Sequence, residues 1–148
     1  MSILSKMKNV QKTVASAGRV AMTPEQVERC KAKLRNENRG YNVHPNSFDV
    51  ANPFRVAINY NNEWANFGNF KSADVAAAVG TIVSMAYFGE KAKAGDYNEA
   101  IAESDPAFKE WLGDERNADI IARAEGELPS IHQPHSNAAA ARNSSIGF

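Results

Sequence analysis

The sequence predicts an α+β fold: a three-stranded antiparallel sheet packed on one α-helix, with flanking N- and C-terminal helices and a disordered C-terminal tail. Three observations carry this expectation. Phe54, Val56, Ile58 and Tyr60 alternate with Arg55, Ala57 and Asn59, the period-two pattern of a strand with one buried face. Asn61-Asn62 follows at once, and asparagine tolerates the positive φ that a two-residue hairpin requires, so Trp64 to Phe67 returns as the third strand until Gly68 breaks it. The alanine-rich run that starts at Ser72 reads as a helix and stops at Gly89, the usual place of a C-terminal glycine. Its face Ala76, Gly80, Val83 and Tyr87 begins with small residues, which lets a helix sit close on a sheet.

The remaining elements follow in order. Ile3, Met7, Val10 and Val14 recur at three-to-four spacing with Lys6, Lys8, Lys12 and Arg19 between or beyond them, a short basic amphipathic helix. Thr23-Pro24-Glu25-Gln26 carries the residues of a capping box with proline in the first turn, and Val27, Cys30 and Leu34 supply an inner stripe. Arg29, Lys31, Lys33 and Arg35 make that helix basic. A brief strand is expected at 40–44, then a turn-rich loop to Pro53. Past Gly95 the chain turns acidic. Asp105-Pro106 starts a helix with Phe108, Trp111 and Leu112 on one face, and Asn117 to Ala124 is a further helical piece. From Pro129 the composition is Pro, Ser, Asn and Ala, with little to bury. The organisation is thus a basic helical segment over 1–38, a module over 39–95, an acidic helical segment over 96–128 and a tail over 129–148.

Formal charge is zero, yet it is unevenly placed. Residues 1–40 hold nine Lys/Arg against three Glu, and residues 90–128 hold five Lys/Arg against eleven Asp/Glu. Either a basic segment meets an anionic partner or the two arms pair with each other. Cys30 is the single cysteine, which excludes an intramolecular disulfide and fits a reducing compartment. No apolar window is long enough to span a membrane, and the first residues have no signal-type apolar core. A cytoplasmic location is the expectation.

The segment Phe67-Gly68-Asn69-Phe70, Ser72, Asp74, Ala76-Ala77 and Tyr87-Phe88-Gly89-Glu90-Lys91-Ala92 resembles the AP2/ERF DNA-binding domain of plant regulators, phage integrases and homing nucleases. Upstream, Pro53-Phe54-Arg55-Val56-Ala57-Ile58 is similar to that family's second strand and Arg39-Gly40-Tyr41 to its opening. The likeness covers about 55 residues. Gly80 stands where the family carries an aromatic, and the sheet holds fewer Arg and Lys than family DNA readers. The resemblance implies a sheet that enters the major groove, since a β-ribbon fits there and reads base edges. The outward residues would be Arg39, Asn42 and His44 on the first strand, Arg55 and Asn59 on the second, and Trp64 and Asn66 on the third, with Lys71 at the helix entry near a phosphate.

The resemblance implies a small non-enzymatic DNA-binding protein whose partner is duplex DNA, for instance a phage-encoded regulator in the host cytoplasm. The competing reading is a virion, assembly or other interaction component, holding a protein through the acidic segment or the tail. Catalytic and cofactor signatures are thin. His132 and His135 have two residues between them but no neighbouring Cys or acid, and no phosphate loop, nucleophile elbow or paired-cysteine motif occurs. No catalytic residue, metal site or cofactor is expected.

Overall fold

The computed structural model describes residues 19–132. The amphipathic stretch Ile3–Val14, residues 133–148 of the tail and His135 lie outside the described residues.

Helix α1 spans Pro24–Asn36, and its start is the capping box read from the sequence: the Thr23 hydroxyl accepts from the Gln26 N–H at 3.1 Å and the Gln26 side chain accepts from the Thr23 N–H at 2.8 Å. Its inner side buries Cys30 and Leu34. Strand β1 (Val43–Pro45), β2 (Phe54–Tyr60) and β3 (Glu63–Phe70) form an antiparallel sheet in the order β1-β2-β3. The hairpin turn is Asn61-Asn62, with φ of 54° and 64°, and Tyr60 pairs with Glu63 across it.

Two strand boundaries differ from the sequence reading. β1 begins at Val43, because Asn42 takes a φ of 66° that no strand residue adopts. β3 does not end at Gly68. The ladder slips between Val56 and Ala57, so that Val56 faces Gly68 while Ala57 faces Asn66, and Phe67 is the extra residue of a bulge. Gly68 has a φ of 133°, and its N–H donates to the Asn66 side-chain oxygen at 3.1 Å. A glycine in a strand thus marks a bulge here and the strand runs on to Phe70.

Helix α2 spans Ala73–Phe88. The Ser72 hydroxyl caps it by accepting from the Asp74 and Val75 N–H groups, and Gly89, at φ 57°, ends it. One face of the sheet packs on α2 through Phe54, Val56, Ile58 and Phe70, and these join Val75, Val79 and Val83 in the core. On its other sides α2 meets α3 (Glu99–Ser104) and α5 (Ala118–Ala124). Burial therefore runs nearly all round the helix, from Val75 to Gly80 without a break and again at Val83, Ser84 and Ala86. The small side chains are needed on every side, which is why the segment reads as uniformly apolar rather than amphipathic. Gly80 has its own reason: a Cβ there would lie 3.4 Å from the Tyr41 carbonyl oxygen and 3.4 Å from the Val43 side chain.

Helix α4 (Pro106–Gly113) follows α3 directly, capped by Asp105, and buries Phe108 and Trp111 while Leu112 stays exposed. The Trp111 indole N–H donates to the Phe67 carbonyl at 2.9 Å, which fastens α4 beside β3. Helix α3 was not expected; its six residues are held by Asn98, whose side chain accepts from the Ile101 N–H. At the start of the tail, the Ile131 and His132 N–H groups donate to the Ala86 and Tyr87 carbonyls, and the His132 ring stands edge-on to Tyr60 and Phe88. Among the described residues no helix is long and apolar enough to cross a membrane.

Candidate nucleic-acid interface

Helix α2 packs on one face of the sheet, α1 contacts β1 and α4 is fastened to β3 through Trp111, and the strand register defines what the other face carries. Paired across the strands are His44, Arg55 and Asn69, then Ala57 and Asn66, then Asn59 and Trp64. None of these seven is a carboxylate. Asn69 joins the set because the bulge consumes one residue, turning Phe67 inward and shifting the outward parity from Asn66 to Asn69. The sequence reading ended the strand at Gly68 and so missed it; the glycine itself was the available signal.

Trp64 is 64% exposed and forms the prominence of this face. It stands at right angles to His44, ring centroids 5.4 Å apart, and Ala57 between them is 5% exposed. His44 Nε2 lies 3.3 Å from the Ala57 carbonyl oxygen. Burial holds its pKa below the ordinary 6.5; the carbonyl works against this and the Arg55 charge adds to it. Burial thus favours the neutral imidazole, which meets Trp64 edge to face.

Arg55 is oriented from outside the strand. Its Nη2 donates to the Asn46 side-chain oxygen at 3.0 Å, and its guanidinium lies 5.9 Å from the centre of the exposed Phe48 ring. Asn46 is 3% exposed, and its amide also donates to the Asn52 carbonyl at 3.0 Å, so this one side chain shapes the loop between β1 and β2 and holds Arg55 at its edge. Asn46 went unnoticed in the sequence because an Asn in a turn-rich loop looks like ordinary turn chemistry. Arg19, Asp49 and Asn69 complete a polar recess of about 400 Å³ around Arg55.

Other sequence candidates lie differently. Arg39 is not brought to the open face: its Nη1 lies 2.7 Å from the Asp74 carboxylate at the start of α2, with Glu37 at 3.3 Å from its Nε. Asn42 precedes β1, and its Cβ lies 3.8 Å from where a Cβ on Gly80 would be, against α2. Asn59 and Asn66 are exposed on the face, and Lys71 is exposed between β3 and the Ser72 cap.

The two flanks of the face differ in charge. Beyond β1, a trough of about 470 Å³ is lined by Lys31 and Arg35 of α1, Tyr41 and His44, with no carboxylate in its lining. Beyond β3, a larger cavity of about 850 Å³ is lined by Asn66 and Asn69 on one side and by Glu110, Asp114 and Arg116 on the other. Arg116 bridges Asp114 at 2.7 Å and lowers that carboxyl to about 2. Among the described residues, no ion pair joins 19–40 to 90–128; each arm pairs locally, and Arg39 reaches only α2. Among the same residues no group of three or more His, Cys, Asp or Glu is arranged to hold a metal ion. No model of a known family, no curated protein and no solved structure matches the chain.

Proposed function

We propose that this chain is a small non-enzymatic DNA-binding protein, a regulator in the manner of phage-encoded ones, whose residues 39–95 act as an AP2/ERF-like module with duplex DNA on the open face. The observation that carries the reading is a sheet face free of carboxylates, with Trp64 standing out of it and Arg55, Asn59, Asn66 and Asn69 around it. Two inter-strand spacings make the sheet about 10 Å across, comparable with a major groove about 12 Å wide. Arginine pairs with guanine and asparagine with adenine through two hydrogen bonds each. Arg55 and Asn59 are the residues of those types on the central strand.

The test is a fluorescence-polarisation titration of labelled duplex DNA at low salt. Binding is expected for the wild type, weakening by roughly 5- to 100-fold in Arg55→Ala, the worth of one bidentate base contact. Absence of wild-type binding at low salt overturns the reading. One observation favours a second reading, docking of a protein: Phe48 is 67% exposed beside a guanidinium already bonded to Asn46. A partner protein that co-purifies through nuclease treatment and is lost in Phe48→Ser supports that alternative.

A further inference from the structure

The flanks of the open face permit a sharper statement about the same site, one that rests on the DNA reading. We propose that a bound polynucleotide is gripped along one flank only. The phosphates of one strand of the duplex follow the trough between α1 and β1, past Lys31 and Arg35, while the groove edges of its base pairs face His44 and Trp64.

Charge decides the flank. A polynucleotide places a phosphate on each strand about every 3.4 Å of helix axis, and each phosphate neutralised by a cation contributes to affinity through counterion release. The trough beyond β1 offers two cations and no carboxylate. The cavity beyond β3 offers the two carboxylates Glu110 and Asp114 against a single cation, Arg116, which faces Asp114 with two hydrogen bonds from Nε and one from Nη2. A backbone there would meet net negative charge. The cations of the trough are free to turn to a phosphate: Lys31 is held only by an exposed pair with Glu28 at 3.5 Å, a contact of little strength, and among the described residues Arg35 has no ion-pair partner within 4 Å. His44 belongs both to the trough lining and to the open face, so the backbone track and the aromatic prominence are continuous. A cationic groove beside a face that reads base edges fixes the register and orientation of a duplex through its phosphates.

The experiment compares the full-length wild type, Lys31→Glu/Arg35→Glu and Glu110→Lys on one duplex across a salt series. Both altered sites are exposed, and circular dichroism with a thermal melt confirms folding of each variant. The expected result is a loss of at least tenfold in affinity for the double variant, with the slope of log K against log salt shallower by roughly 1.8, two phosphates at about 0.9 each. Glu110→Lys should stay within about threefold of wild type near physiological salt, where charges farther than about 8 Å are screened. An unchanged slope in the double variant overturns the one-flank track, and so does a tenfold gain in Glu110→Lys, since a backbone must then approach β3. Either result leaves DNA binding itself standing. Failure of the wild type to bind at any salt is the separate outcome that removes the reading beneath it.

Discussion

Single residues of the open face set both its shape and its response to acid. Asn46 connects the β1–β2 loop to Arg55 with a donated and an accepted hydrogen bond, and it is 3% exposed. Asn46→Ala leaves the Asn52 carbonyl and Arg55 Nη2 without those partners, so a loss of about 1–3 kcal/mol is expected in urea unfolding. His44 makes a pH-dependent contribution of definite sign. Unfolded, its imidazole protonates near 6.5; folded, burial holds the value lower. Between those two values the unfolded chain binds more protons, so this contribution is full above 6.5 and is lost as the pH falls toward the folded pKa. Urea midpoints measured from pH 7.5 down to 5 should show the decline, and His44→Gln should reduce its slope; equal slopes in both proteins would contradict the assignment. His44, Arg55 and Trp64 were readable in the sequence because strand alternation alone gives them a direction. Arg39 was not, since its direction is fixed by Asp74, 35 positions away.

Among the elements, those whose signals are local were readable and those set by partners were not. The Thr23–Gln26 box, the Ser72 and Asp105 caps, the Asn61-Asn62 turn and the Gly89 stop each act within four residues, and each stands in the structure where the sequence put it. The end of β3 was misread because Gly68 has two meanings, strand break or bulge, and only the pairing with Val56 selects the second. Helix α3 escaped notice because it has one turn and a half, with Ala102 its single buried residue. Both glycines of the sheet–helix unit give predictions. A Cβ on Gly68 would meet the Phe70 ring at 2.9 Å in a backbone conformation at φ 133°, so Gly68→Ala should cost about 1–3 kcal/mol and loosen the bulge that turns Asn69 outward. At Gly80 alanine would gain about 1 kcal/mol of helix propensity while pressing on Tyr41 and Val43. Gly80→Val removes that ambiguity: its branch points have no room, and a drop in thermal midpoint is expected.

At the scale of the whole molecule, the question is whether the basic and acidic arms are appendages or parts of one folding unit. The charges themselves do not join them, for the described ion pairs are local to each arm or end on α2. Two carboxylates do: Asp96 Oδ2 accepts from the Asn38 side-chain amide at 3.2 Å, and Asp74 bridges both arms. Asp74 Oδ1 lies 2.7 Å from Arg39 Nη1, at the end of the basic arm, and accepts from the Asn98 N–H at 2.8 Å, where the acidic arm enters α3. Both charged side chains are largely withdrawn from water, 18% and 14% exposed. Nearby, the Asp96 N–H donates to the Asn38 carbonyl, and Gly95 passes so close that a Cβ would fall 2.8 Å from that oxygen. Removing one partner of a fully buried pair costs about 3–5 kcal/mol; here Arg39 keeps Glu37 at 3.3 Å from its Nε and the pair is partly exposed, so the expected cost of losing Asp74 is smaller, about 1–3 kcal/mol. Asp74→Ala should therefore lower the urea midpoint of the whole chain in one cooperative step, because β1, α2 and α3 lose a common anchor together. Asp74→Asn keeps an oxygen for the Asn98 N–H and should lie between the two. An unchanged midpoint in Asp74→Ala would mean that the arms are held by apolar packing and the Asn38–Asp96 hydrogen bonds without help from Asp74. Two resolved transitions would mean that they fold apart from the sheet, and a basic trough built from α1 and β1 would then lack a fixed wall.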